Sequence, residues 1–584
     1  MRGSFIAENQ KIFRQTGSCK TAPLNPTNTQ KNMFQVEKYQ QACRELIPEG
    51  IVLLKNENGV LPLKSSDKIA LFSRGQFEYV KSGSGSGGRV NCPYITQFYD
   101  EFSSRAQLDE EVSAFYRDFI AENPAEGDGW TYPASQKQPL LPEELVKRAA
   151  EKNDKAVFIL SRICGEGYDC KAEKGNWYLS DEERQSIALI CRYFAGRAAV
   201  LVNSGNLIDL SWHEELSVPA LALVWQGGQE GGNGVADVLM GRVSPCGKLT
   251  DTIAENIEDY PSTSCFGDLV RNEYKEDIYV GYRYFETFAK DKVLYPFGFG
   301  LSYTEFEIKT EKAEITEGAV KLSVSVKNIG SYKGKEVIEV YCEAPQGRLG
   351  KAARVLCGFE KTRELVPQEE QVVEIAVDIA KLASYDDSGV TGNKSCYVLE
   401  AGEYKFYVGS DVRSAEYACS FEQGEDLVTE RLTQSLAPVE SFERIKPVCE
   451  GGAFSIGREA VPVSEVDESA RRLEKLPKEI AYTGDKGIKL WDVKNGKNTM
   501  DEFIAQLSDY DLSCIIRGEG MGSPRVTAGT ASAFGGVSEN LNGFGIPAGC
   551  CSDGPSGMRL DCGTKAFSLP NGTMIASSFN KELT

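Results

Sequence analysis

Glu166 stands between Gly165 and Gly167, just past the apolar run Ala156-Val157-Phe158-Ile159-Leu160. A carboxyl group placed there can give and take a proton, and the flanking glycines let the backbone come close to a substrate. The competing reading is one more solvated loop carboxylate in an acidic chain. A second set of candidates closes the stretch from Gly545 to Arg559, where Asp553 and Arg559 follow a short strand. A carboxylate and a guanidinium at a strand mouth can hold a diol, the first accepting hydroxyl protons and the second donating. An ordinary ion pair across a turn accounts for the same two residues. Lys81-Ser82-Gly83-Ser84-Gly85-Ser86-Gly87-Gly88-Arg89 could pass for a phosphate cradle, but it lacks the Gly-Lys-Ser/Thr ending that a P-loop requires. Its small residues suit either a flexible linker or a loop whose amides and hydroxyls reach a ligand. His213 has no second ligand at metal spacing and no triad partner, so it reads as a packing or surface residue. Neither a metal nor a cofactor is expected.

The elements that position these groups follow from periodicity. The run ending at Leu160 is too short for a globular helix and breaks into glycine, which predicts a buried strand feeding a loop. Ser180-Asp181-Glu182-Glu183 is a capping box, so a helix starts there, with Ile187, Ala188 and Ile190 on its apolar face. Gly50–Asn56 and Gly59–Leu63 read as two short buried pieces joined by a turn, similar strands are expected at Ile69–Phe72, Ala198–Val202 and Ala220–Trp225, and helices at Phe34–Leu46, Phe102–Glu122 and Pro142–Lys152. Alternation of this kind predicts an α/β sheet covered on both faces, with Glu166 at the carboxyl end of a strand, where ligands bind in such sheets. Trp225-Gln226-Gly227-Gly228-Gln229-Glu230 is a tight strand-to-helix turn in which Glu230 reads as structural. Aromatic residues between Ile278 and Tyr303 read as a packed seam. From Thr304 to Ser420 the period shifts to two, predicting a β-sandwich.

These motifs resemble family 3 glycoside hydrolases of the β-glucosidase kind. Ser161-Arg162-Ile163-Cys164-Gly165-Glu166-Gly167-Tyr168-Asp169 with Lys174-Gly175-Asn176-Trp177 is similar to the family's acid/base loop, which implies that Glu166 is the general acid/base. The glycine-serine loop resembles one in which Ser86 would touch the sugar beside the scissile bond. Asp553-Gly554-Pro555-Ser556-Gly557-Met558-Arg559 resembles the opening of the family's barrel, implying that Asp553, with Arg559, holds sugar hydroxyls. The resemblance implies a multidomain α/β plus all-β chain. A 1–32 arm comes first, followed by a 33–258 α/β sandwich domain, a 259–303 connector and a 304–420 fibronectin type III-like β-sandwich. A 421–497 linker then leads to the opening part of a (β/α)8 TIM barrel at 498–584. That order is similar to a circularly permuted subgroup. A whole barrel takes roughly 250 residues, so it is expected to be incomplete here, with the catalytic nucleophile missing and the chain inactive alone. The implied activity is retaining hydrolysis of terminal β-D-glucosyl residues from a small β-linked oligosaccharide or an aryl or alkyl β-glucoside. β-Xylosidase is the alternative within the family, and a non-catalytic carbohydrate-binding or scaffold fragment the alternative outside it.

Composition narrows the partners. A net charge of −20 over 584 residues disfavours nucleic acid and anionic membrane, both densely negative. No stretch approaches the length of a membrane span. Seventeen cysteines, an odd number without a Cys-x-x-Cys pair, fit reduced thiols and a cytoplasmic location. Self-association into a homo-oligomer is compatible with all of this.

Overall fold

The computed structural model describes residues 36–85, 87–127, 131–166 and 169–583. All of its sheets lie in the unit that begins at Ala42. Helix α1 (Val36–Gly50) leads into a six-stranded sheet of β1 (Val52–Asn56), β2 (Lys68–Phe72), β3 (Gln107–Leu108), β4 (Lys155–Ser161), β5 (Ala198–Asn203) and β6 (Ala220–Leu223). Their order is β1-β6-β5-β4-β2-β3, all parallel except β1, which runs antiparallel against β6. The central strands β4, β5 and β6 are buried almost throughout, as expected where crossover helices cover both faces. Those helices include α2 (Phe98–Ser103), α3 (Glu110–Glu122), α4 (Glu143–Lys152), α5 (Asp181–Phe194) and α6 (Gly231–Leu239). The periodicity from Phe102 to Glu122 suggests one helix, but α2 ends at Ser103 and α3 restarts at Glu110, with Asp109 accepting from Glu111 and Val112 N–H as its cap. The edge strand β3 lies in the gap. A capping aspartate after Leu108 was the signal for the break.

The aromatic connector carries helix α7 (Tyr282–Phe288) and a small ladder of β7 (Ile253–Ala254) with β8 (Val293–Tyr295). It is a seam: Tyr282 packs on Phe297 at 4.5 Å, and Tyr260 and Tyr284 meet Phe285 edge-on. Beyond it, β9 (Phe306–Ile315), β10 (Ala319–Asn328) and β13 (Glu370–Asp378) form one sheet in the order β13-β10-β9. The second sheet, β12-β11-β16-β17, comprises β11 (Val337–Glu343), β12 (Val355–Lys361), β16 (Gly402–Gly409) and β17 (Glu416–Gln423). Inward-facing Val320, Leu322, Val324, Ile338, Val340, Ile375, Tyr404 and Phe406 fill the space between the sheets. A third, smaller sheet of β14 (Ser384–Asp386), β15 (Cys396–Leu399) and β18 (Leu427–Arg431) flanks them.

The charged stretch 421–497 holds more regular structure than its weak periodicity suggests. Strands β19 (Glu443–Glu450) and β20 (Ala453–Ala460) pair as a hairpin closed by Gly451 and Gly452, both at positive φ. Most of the hairpin is exposed, so apolar and polar residues do not alternate cleanly, and the Gly-Gly turn is its only strong local mark. Farther on, strands β21 (Ser532–Gly535) and β22 (Ala548–Cys551) pair antiparallel, and β22 delivers the chain to Asp553.

The carboxyl-terminal segment ties the layers together. Met574 is buried in the α/β core, Lys248 N–H donates to Ser577 O at 2.8 Å, and Lys361 Nζ on β12 donates to Ser578 O at 2.6 Å. Phe579 then enters a hydrophobic cluster with Phe297, Val337 and Tyr341.

Candidate functional site

Strand β4 sits inside the sheet between β2 and β5, and its carboxyl end opens into the Glu166 loop. Arg162, just past the end of that strand, is buried, and its guanidinium grips both oxygens of Glu183 at 2.6 and 2.7 Å. The same group donates to the carbonyls of Ser161, Asn176 and Tyr178 at 2.9, 2.9 and 3.3 Å. Glu183 also accepts from Ser180 N–H while Ser180 Oγ accepts from Glu183 N–H, so the expected capping box forms. One arginine therefore fastens the outgoing strand, the returning loop and the first turn of α5. The sequence marked Glu183 only as a cap. The sole local hint of the pairing was a charged residue at the tip of an apolar strand.

The glycine-serine loop is held over the same strand ends. Asn203, at the end of β5, donates to Val80 O at 2.9 Å and to Trp225 O at 2.6 Å, and accepts from Val80 N–H at 3.1 Å. Lys81 Nζ and Ser82 Oγ both donate to Gly88 O at 2.9 Å, which closes the loop on itself. Burial lowers the pKa of the Lys81 ammonium. Ser84 N–H donates to Cys164 O at 2.9 Å, and Ser84 and Gly165 form an isolated parallel bridge. Ser86 lies outside the described residues.

Gly85, at φ +72°, faces Glu166 so closely that a Cβ there would lie 3.2 Å from Glu166 Cβ and 3.4 Å from its Oε2. Two residues on, a Cβ at Gly87 would lie 3.5 Å from Pro555 Cγ, and one at Gly557 would lie 3.2 Å from Val90 Cγ2. Segments remote from each other in sequence thus meet opposite ends of one small loop. Glu166 itself is exposed.

Asp553 and Arg559 are paired. Arg559 N–H donates to Asp553 O at 2.8 Å, and the guanidinium lies 3.4 Å from the Asp553 carboxylate and 3.3 Å from that of Asp561. The Arg559 side chain is buried, whereas 31% of the Asp553 side chain stays exposed. Asp553 also accepts from Gly554 N–H at 2.8 Å. The turn ion pair expected as one reading exists, and it leaves a carboxylate fixed in orientation with a face open to a hydroxyl.

The glycine-rich turn after Trp225 does more than turn the chain. Gln229 N–H donates to Ser568 O and Gln229 Oε1 accepts from Ser568 N–H, both at 3.1 Å, while Asn571 N–H donates to Gln226 O at 2.9 Å. Gly228, at φ +67°, has no room for a Cβ beside Ser568 and Leu569. Glu230 accepts from Tyr94 and from Asn233 Nδ2, a structural arrangement. His213 is buried, with Nδ1 2.7 Å from Leu210 O and Nε2 2.9 Å from Tyr295 Oη, so it packs the core.

Comparison with known proteins gives this geometry a lineage. Residues 51–303 match the Glycosyl hydrolase family 3 C-terminal domain, and residues 336–412 match a Fibronectin type III-like domain. Beta-glucosidase A of Butyrivibrio fibrisolvens is 35% identical over 94% of this chain and 72% of its own. The chain belongs to glycosyl hydrolase family 3. A beta-glucosidase of Ruminococcus albus is 54% identical over 94% of this chain. The crystal structure of a beta-glucosidase from Paenibacillus barengoltzii superposes with a TM-score of 0.90 at 46% identity, again over 94% of this chain. The chain spans 57% and 61% of the lengths of those two proteins. The Glu166 loop falls within the matched family 3 domain, while Asp553 lies beyond both matched segments.

The bridge between Ser84 and Gly165 joins the glycine-serine loop to the Glu166 loop. A Cβ on Gly165 would collide with Ser84 backbone and Oγ, so Gly165→Ala must push the two loops apart. A displacement near 1 Å at a reacting group costs about 10²-fold in rate. If the Glu166 loop serves the β-glucoside hydrolysis that the family resemblance implies, Gly165→Ala in the protein made by its native source is expected to lower kcat on an aryl β-glucoside by about that factor while the melting temperature moves little. Comparing kcat with thermal unfolding checks it.

Proposed function

We propose that this chain provides the proton-transfer and sugar-gripping groups of a β-glucosidase that removes terminal glucose from small β-linked oligosaccharides and aryl or alkyl β-glucosides. Glu166 acts as the general acid/base, and Asp553, with Arg559 and Ser86, binds hydroxyls of the glucose ring. The observation that carries the reading is the convergence on one loop: a Cβ added at Gly85 would meet Glu166, and one added at Gly87 would meet Pro555, two residues from Asp553. Membership in family 3 and the name beta-glucosidase borne by the similar proteins support the choice of substrate. The sequence Asp-Gly-Pro-Ser-Gly-Met-Arg after β22 supports reading 498–584 as the opening part of a (β/α)8 barrel.

In the retaining mechanism the two carboxyl groups stand roughly 5–5.5 Å apart on opposite sides of the reacting bond. As the attacking carboxylate bonds to the anomeric carbon, Glu166 protonates the departing glycosidic oxygen, and Glu166 then takes a proton from the water that displaces that carboxylate and releases the sugar. Asp553 serves as a sugar clamp in this scheme, not as the attacking carboxylate. A cytoplasmic setting belongs to the same proposal, supported by the sixteen free cysteines among the described residues.

NMR of cellobiose treated with the protein isolated from its native source tests the reading. Early release of β-glucose, before mutarotation, is the expected result. α-Glucose as the first product contradicts retention, and binding of cellobiose without cleavage would favour a carbohydrate-binding scaffold.

A further inference from the structure

A cleft of about 820 Å3 opens between the connector, the small β14-β15-β18 sheet and the β19–β20 hairpin, with every lining residue between Asp277 and Pro462. It contains neither Glu166 nor Asp553, so it is separate from the Glu166 site. Its size falls within the usual range of small-molecule clefts.

Two features of the lining specify a ligand. Tyr385 and Tyr397 are cross-strand partners on β14 and β15, with ring centroids 5.4 Å apart and exposures of 36% and 37%. The rings are tilted by 56° to one another, so they offer two adjoining, solvent-open aromatic faces, one for each of two successive sugar units. Arg444 on β19 supplies the polar side. Its guanidinium pairs with both oxygens of Asp387 at 2.6 and 3.0 Å, with Glu459 at 2.8 Å and with Asp277 at 3.5 Å. Lys446 also donates to Glu459 at 2.6 Å, so the cluster holds two cations against three carboxylates and offers no strong net charge to select a charged ligand. Each carboxylate oxygen still has lone-pair capacity beyond its arginine contact and can accept a hydroxyl proton. The orientation is set in advance by the ion pairs.

We propose that this cleft is a second carbohydrate site, which binds a neutral oligosaccharide stacked on Tyr385 and Tyr397 and hydrogen-bonded by Asp387, Glu459 and Arg444. A sugar ring has an apolar C–H face and a rim of hydroxyls, which match the tyrosine platform and the carboxylate-guanidinium lattice respectively. An extended peptide would instead seek a free sheet edge, and β14 offers only three residues of one. The site holds a chain of sugars on the β-sandwich side of the molecule and stands independently of the role proposed for Glu166.

Isothermal titration of cellotetraose into the full chain carrying Asp553→Ala tests it, because that change weakens the other sugar-binding group. One binding event is expected to remain. Tyr385→Ala and Tyr397→Ala should each weaken it about tenfold, while Tyr385→Phe and Tyr397→Phe, which keep the ring, should stay within about twofold. Unchanged melting temperatures of the alanine variants separate loss of the platform from loss of fold. The proposal is overturned if Asp553→Ala alone abolishes binding, or if cellotetraose still binds the Tyr385→Ala/Tyr397→Ala double variant with undiminished affinity.

Discussion

On the proposed β-glucosidase reading, Glu166→Gln in the protein made by its native source is expected to lower kcat/KM for cellobiose by about 10²–10⁴-fold, the range usual for removing a positioned general acid. Glutamine keeps the size and loses the proton, so the fold should be untouched. The size of the loss should depend on the leaving group. A glucosyl leaving group needs its oxygen protonated, whereas a dinitrophenolate departs without help, so the deficit should shrink when an activated aryl β-glucoside replaces cellobiose. The alkaline limb of the wild-type pH profile reports the acid form of the proton donor, and it should flatten in the variant. Azide in the buffer should restore turnover, with β-glucosyl azide as product, because a small anion can attack the glycosyl intermediate without the base that water requires. Equal deficits on both substrates, with no azide adduct, would remove Glu166 from the chemistry.

A second large effect is expected far from that site, at Glu339. Its carboxyl is fully buried on β11, and Oε1 has no hydrogen-bond partner among the described residues. The Tyr341 hydroxyl donates to the other oxygen, and Gly298 packs where only a missing side chain leaves room for Glu339. Lys248 approaches from the α/β side but is committed to Glu336 at 2.8 Å and to Gly300 O at 3.0 Å, while Asp411 and Glu336 add like charge. Loss of water around the carboxylate dominates, and the pKa rises from 4.5 to about 8. The sign follows from linkage. Between those values the folded protein holds a proton that the unfolded chain has released. Stability is therefore fully present below pH 4.5, falls as pH rises, and is lost in full above about 8. At 1.36 kcal/mol per pKa unit the swing is on the order of a few kcal/mol.

Glu339→Gln removes the titration but leaves an amide without a partner for its donors, at a cost of about 1–3 kcal/mol. The variant should melt below wild type near pH 5, gain on it as pH rises, and match or exceed it near pH 9. Parallel melting-temperature curves for the two proteins would sink the assignment.

Local patterns made much of this molecule legible. The run before Gly165, the capping box at Ser180 and the shift to period two after Thr304 are each set by a few adjacent residues. Steric and hydrogen-bond preferences act over that range, so strand, helix and sandwich could be read directly. The motifs around Glu166 and Asp553 carried the family in the same way. The hairpin at Glu443–Ala460 was harder, because strands that are mostly exposed have little burial to impose alternation.

Only the tertiary structure decided which distant groups share a space. In β11, Val337, Ile338, Glu339, Val340 and Tyr341 are all buried, because one face meets the sandwich core and the other meets Phe297, Val412 and Phe579. Alternation alone would have sent Glu339 to water. Arg162 finds Glu183 across 21 residues, and Gly228 receives Ser568 from the far end of the chain. Such contacts depend on how whole layers stack and on how much water their stacking expels. The sequence names the groups that can carry charge or a proton; packing determines which lose their solvent and which face one another.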